Sequence, residues 1–253
     1  IAEDGGAITG FNVVVTDSSF TNTTAINGYG GAIAGINVIV VRSTFNKNIA
    51  KNGGAIAGVN VTVADSHFMD TIANNGGAIY SEEGSAIVTN STFKDTTATN
   101  GDGGAIYTSS GNITVIDSNF INTSATGQYS KGGAIFDYEG SAVIINSKFT
   151  NITTHRGAAI YVNPHNVHNN GLAVIGSTFT NTQSSQNGGA IWGGSGEAEN
   201  FTFIVAVSTF NNTTAGQNGG AIYSAVTNGI FDVISSTFND NSAKGKGSSI
   251  YNG

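Results

Sequence analysis

Apolar residues in this chain come in short alternating bursts, not in helical stripes. A Gly-Gly-Ala-Ile tetrapeptide, or a close variant, ends at Ile8, Ile33, Ile56, Ile79, Ile106, Ile135, Ile160, Ile191, Ile222 and Ile250, at spacings of 23 to 31 residues. Between successive copies lies Ser-x-Phe, with the ring at Phe20, Phe45, Phe68, Phe93, Phe120, Phe149, Phe179, Phe210 and Phe238. Val or Ile stands five places before every one of these Phe residues, and another apolar residue seven before, as at Val13, Val38, Ile113, Leu172 and Phe231. Alternation with a period of two puts the Ile, both aliphatics and the Phe on one face of extended strands. Each unit therefore carries three short strand signals: Gly-Ala-Ile-aromatic, x-Val-x-Val and Ser-x-Phe. Asn-Gly pairs such as Asn52-Gly53, Asn75-Gly76 and Asn187-Gly188 supply turns between them.

A unit this short cannot bury its apolar face alone. Coiling the chain and stacking unit on unit places Ile over Ile, Val over Val and Phe over Phe. Each buried side chain of this size contributes roughly 1.5–3 kcal/mol, which a few per rung plus backbone ladders set against the ordering entropy. The pattern thus predicts an all-β fold, a right-handed parallel β-helix (β-solenoid) of about nine rungs with three short strands each. Residues 1–253 read as a single β-helix segment, an excerpt of a longer repeat protein, because Ile1 begins in mid-pattern with no visible signal peptide. At ~4.8 Å per rung the rod is about 45 Å long. Propeller blades need about 40 residues and four antiparallel strands, more than these units supply.

Composition narrows the function classes. Charged residues are 10% of the chain, yet the apolar residues are scattered, and no run approaches the ~20 that span a bilayer. At 39% hydrophobic the chain is not disordered. Its nine Lys and Arg form no stripe and the net charge is −7, which excludes nucleic acid as a partner. There is no Cys, so disulfides and thiolate chemistry are out. No cofactor and no metal is expected.

The alternation of Gly-Gly-Ala-Ile with Ser-Thr-Phe-x-Asn, repeated along the whole chain, resembles the repeat of chlamydial polymorphic outer-membrane proteins. Related adhesin-like surface proteins, including those of methanogenic archaea, carry it too. That family pairs Gly-Gly-Ala-Ile with Phe-x-x-Asn, which occurs here only at Phe45–Asn48 and Phe238–Asn241. Elsewhere Asn or Asp comes two places after Phe, as at Asn22, Asp70, Asp95, Asn122, Asn151, Asn181 and Asn212. The resemblance implies a passenger or stalk at the cell surface or outside the cell, used in adhesion. Its partners would be a carbohydrate or protein receptor on another cell, or neighbouring copies of itself.

Several features carry candidate chemistry. The residue after each motif Ile is out of phase with the core and expected to face outward; from the fourth unit on it is aromatic, at Tyr80, Tyr107, Phe136, Tyr161, Trp192, Tyr223 and Tyr251. Such a ladder offers either a platform for a sugar or protein or simple cross-rung stacking beneath covering loops. Loops lengthen just after it, at Val162–Gly171 and Gly193–Asn200. The same region holds Glu82, Glu83, Asp137, Glu139, Glu197 and Glu199, on which a carbohydrate-active enzyme of the depolymerase kind would rely; no basic residue recurs beside them, and the expectation is no enzyme. His165 and His168 make a weak metal pair. The Ser before each Phe is expected to satisfy a buried corner group, and the Asn or Asp after it to shape a turn. Thr23, Thr71, Thr96, Thr123 and Thr213 give a Thr-rich column like that of ice-binding surfaces, but Asn48, Ile152 and Asn241 interrupt it, which speaks against that function. Sequons for N-glycosylation start at Asn22, Asn60, Asn90, Asn112, Asn122, Asn151, Asn200, Asn211 and Asn212. Rungs left open at the ends, with their strand edges, suggest a self-assembling surface filament as a further alternative.

Overall fold

The structure, a computed structural model, describes residues 2–164, 170–194 and 199–253. Every regular element among them is a β-strand, and every strand pairing is parallel. The strands stack into a solenoid of nine rungs. The Ser-x-Phe strands form one nine-stranded sheet, and a second nine-stranded sheet of very short strands follows it along each rung.

The third sheet holds the first two strand signals together. In the first three units they form unbroken strands, Ile8–Thr16, Ile33–Val41 and Ile56–Ala64. Beyond Ala64 the sheet forks: Ile79–Ser81 and Ala86–Thr89 are separate strands, each stacked on its own part of Ile56–Ala64. The short-stranded sheet was not expected. Its strands include Thr24–Tyr29, Ile72–Ala73 and Thr97–Ala98, and the residue each rung turns inward is small: Ala25, Ala50, Ala73, Ala98, Ala125 and Ala215 are all buried.

The core is built of columns. Motif Ile residues from Ile33 to Ile222 are sealed from solvent, as are the Phe residues from Phe45 to Phe210. Register pairs each Phe with the next, and the nine rings stack at centroid separations of 4.7–5.1 Å with planes within 10°. Rungs impose ~4.8 Å, wider than ring contact, so the rings stack offset, the arrangement that π-quadrupoles prefer at about 0.5–1.5 kcal/mol per pair.

Three left-handed residues per rung turn the chain. One precedes the conserved-position Ser, from Asp17 to Ser235, at φ 44–61°. The second comes two places after Phe, from Asn22 to Asp240, at φ 50–57°. The third is the first Gly of the tetrapeptide, at φ 52–69°. The second Gly has a different reason to exist: a Cβ on Gly31 would lie 2.0 Å from the carbonyl oxygen of Gly54 in the next rung.

The Ser column closes one corner. Each Ser N–H donates to the hydroxyl of the next rung's Ser at 3.1–3.2 Å, from Ser18→Ser43 to Ser208→Ser236. Each hydroxyl in turn donates to the carbonyl two residues before it, as Ser43 Oγ does to Val41 O at 2.9 Å. A second ladder runs along the exposed corner after Phe, where Asn212, Asn181, Asn151 and Asn122 each donate to the rung below, ending on Asp95.

Candidate functional site

The aromatic residues after the motif Ile do stack. Ring centroids from Tyr80 through Tyr107, Phe136, Tyr161, Trp192 and Tyr223 to Tyr251 lie 4.1–6.1 Å apart. They are not the open platform that their phase predicted. Tyr80, Phe136 and Tyr161 are buried, Tyr161 at 4% exposure, and Tyr107, Trp192, Tyr223 and Tyr251 are half-buried. Residues at the Gly corner lean over them: Lys131 sets its Nζ 5.6 Å from the Phe136 centroid and 5.5 Å from that of Tyr161, and Lys246 covers Tyr251. Asp102, beside this strip, accepts the Lys131 N–H at 2.7 Å; burial pushes its carboxyl up while Lys131 pulls it down. Burial also raises three of the phenols, Tyr107 to about 12 and Tyr80 and Tyr161 in the same direction, so these three are neutral at any physiological pH.

The ladder has one open end. Units two and three carry Ala34 and Ala57 where later units carry a ring, and Gly35 and Gly58 follow them. This leaves a recess of about 140 Å³ floored by the small residues and closed on one side by the Tyr80 ring. Tyr29 reaches over from the Gly corner, its ring 5.8 Å from that of Tyr80 and tilted by 52°. Asp4 and Glu82 stand at the rim, and Asp4 Oδ1 accepts the Tyr29 N–H at 2.8 Å. Sequence reasoning missed Tyr29; the signal was a Tyr directly before Gly30, where the next units have Asn52, Asn75 and Asp102.

The remaining candidates scatter. Glu82 and Glu83 are exposed, Glu139 is half-buried and Asp137 is sealed inside the coil. Asp137 Oδ1 accepts the Thr108 hydroxyl at 3.1 Å and the Gly140 N–H at 3.0 Å, while Oδ2 has no partner. Burial, against those two bonds, pushes its pKa up to about 7. Glu197, His165 and His168 lie outside the described residues, as does most of each long loop; of Glu199 only the backbone, opening the strand Glu199–Ala206, is described. No group of three or more His, Asp or Glu among the described residues could hold a metal.

The Thr column turns inward, which leaves no flat Thr face for ice. Thr71, Thr96, Thr123 and Thr213 are fully buried and Thr23 half-buried, because the left-handed residue before each one resets the alternation. Asn48 and Asn241 of the two Phe-x-x-Asn units occupy the same inward column, and each donates its amide to the Phe carbonyl of the preceding rung, Phe20 and Phe210. Sequon Asn residues are exposed except Asn211, which is half-buried. At Asn60, Asn90, Asn122, Asn151 and Asn212 the Nδ2 that would carry a glycan already donates to a neighbouring rung, so attachment there costs a ladder hydrogen bond.

Comparison with known proteins gives one finding. The sequence profile of the Chlamydia polymorphic membrane protein (Chlamydia_PMP) repeat matches residues 42–59. That stretch runs from the corner residue Arg42 through Phe45 and the inward Asn48 to the Gly53-Gly54-Ala55-Ile56 tetrapeptide, and so contains most of the rung-forming elements in one span. No curated protein and no solved structure matches the chain. No helix of the described residues is long and apolar enough to cross a membrane. The chain is a parallel β-solenoid whose repeat resembles that of the chlamydial polymorphic membrane proteins.

Proposed function

We propose that this chain is a non-catalytic, rod-forming segment of a surface-associated, adhesin-like protein, and that it receives a sugar ring in the recess over Ala34 and Ala57, beside the paired rings of Tyr29 and Tyr80. The observation that carries the reading is the break in the aromatic column. Ala34 and Ala57 take away two rings, and the space is bounded by an aromatic face on one side and carboxylates on another. Aromatic faces suit the apolar faces of a pyranose, and carboxylates accept hydrogen bonds from its hydroxyls. The match to a surface-protein repeat supports a location outside the cell or on its surface. The settings of the loop acids support a binding role over a catalytic one: a glycosidase needs two carboxyls flanking one bond roughly 5–10 Å apart, and Asp137 is walled off from solvent while Glu82 and Glu83 are solvated.

A glycan array probed with the wild type, Tyr29→Ala and Glu82→Gln tests the proposal. Both side chains lie at the surface, so the variants should keep the wild-type circular dichroism. Binding by the wild type that weakens at least tenfold in both variants is the expected result. Silence of the wild type on the array, or binding that both variants retain, would sink it.

A further inference from the structure

The sheet that carries Val-x-Val has a second face. Between the buried Val13 and Val15 stands Val14, at 67% exposure, and the register repeats this alternation in every rung. Two outward columns result. One runs from Val14 through Ile39, Ile87 and Val143 to Ile204; the other from Val41 through Ile116, Ile145 and Ile175 to Ile234. Nine rungs and two columns make eighteen positions, of which thirteen are Ala, Val or Ile and one, Asp232 in the last rung, is charged. The two equivalent outward columns of the Phe sheet hold only Met69 and Ile121 as apolar residues, and they carry Lys94, Lys148 and His67. Solvation explains the Phe sheet and fails to explain its neighbour.

We propose that this aliphatic face packs against the same face of a second copy of the chain, forming a side-by-side dimer of rods. Three observations select that occupant. The face is nearly free of charge although the chain carries −7, so it offers nothing to a charged partner and brings little repulsion to its own copy. Its β-branched side chains repeat once per rung, at ~4.8 Å, a spacing that another rod of this chain shares. Nine rungs by the four-residue width that two alternate columns cover give about 570 Å² per partner, or about 1,140 Å² in all, above the roughly 1,000 Å² that a specific interface has to clear.

With the two-fold axis along the strand direction the rods run antiparallel, and the fifth of the nine rungs falls on the axis, where Ile116 meets its own counterpart. Ile116→Lys sets two ammonium groups against each other there, while the side chain remains outside the core. Sedimentation equilibrium over a concentration series, beside Thr92→Lys on the Phe sheet as a control, reads the result. The expected outcome is a dimer for the wild type and Thr92→Lys, and association weakened by roughly a hundredfold or more for Ile116→Lys, with unchanged circular dichroism and melting. A wild type that is monomeric at every concentration overturns the proposal. So does a dimer that survives Ile116→Lys, since rods joined end to end or by another face would be indifferent to that change.

Discussion

The first three units and the six that follow solve the same corner differently. In units one to three the motif Ile and the next Phe are 12 residues apart, and the chain between them is one nine-residue strand passing through Gly10, Gly35 or Gly58. From the fourth unit the separation is 14 or more, and the strand divides. The added residues bulge at the middle of the strand, and in five of the six units the place of the Gly is taken by Ser81, Thr108, Asp137, Val162 or Ser224, all buried, while the eighth unit keeps Gly193. The small residue after Ile becomes a ring. Two extra residues thus exchange a flat, small-residue wall for a polar interior and an aromatic outer column. The recess lies where the two solutions meet.

Four substitutions probe that contrast. The largest effect should be indifferent to it: Phe45→Ala and Phe120→Ala, one in each region, each remove a sealed ring from the same continuous stack. Each should cost about 3–5 kcal/mol in denaturant unfolding, and a large gap between them would mean the stack is not shared. Asp137→Asn should separate the regions. With a folded pKa of about 7 against 3.8 unfolded, the native state holds its proton longer, so this group lowers stability as pH rises from about 4 to about 7, and the loss is complete above that. The Asn variant should lose that slope and exceed the wild type by about 1–3 kcal/mol at pH 8. Equal slopes for the two proteins would place the carboxyl in water. The smallest effect sharpens the boundary. Ala57→Tyr extends the ladder by one ring, should add about 0.5–1.5 kcal/mol, and should abolish glycan binding by filling the recess; binding that persists would put the sugar elsewhere.

How much of this was legible in the sequence depended on side-chain size and on the corners. The Ile, Val and Phe columns were plain because each is large and repeats at a fixed offset from its neighbours. The short-stranded sheet was invisible, since its strands are as short as Thr97–Ala98 and its core residue is mostly Ala. The side of the Thr column could not be read by alternation, because counting by twos from Phe93 to Thr96 passes Asp95, whose left-handed backbone resets the count. Ring burial was equally unreadable. Lys131 and Tyr161 are 30 positions apart, and only the stacking of rungs brings the one over the other. The recess was half visible: Ala34 and Ala57 broke the aromatic run, but nothing local showed that Tyr29 would lean into the gap.

The serine column has a consequence for how such a rod can change its length. Each Ser N–H is completed by a hydroxyl from the following unit, and any unit with Ser at that place can supply it. The same holds for the Ile and Phe columns, which ask of a neighbour only that it present the same residue. Units here already differ by up to eight residues, 23 against 31, with the difference absorbed between the columns. Duplicating, deleting or exchanging whole units therefore leaves every column intact, whereas a cut that removes half a unit breaks all of them together. The solenoid is in this sense punctuated: it tolerates editing by the paragraph and forbids it by the word.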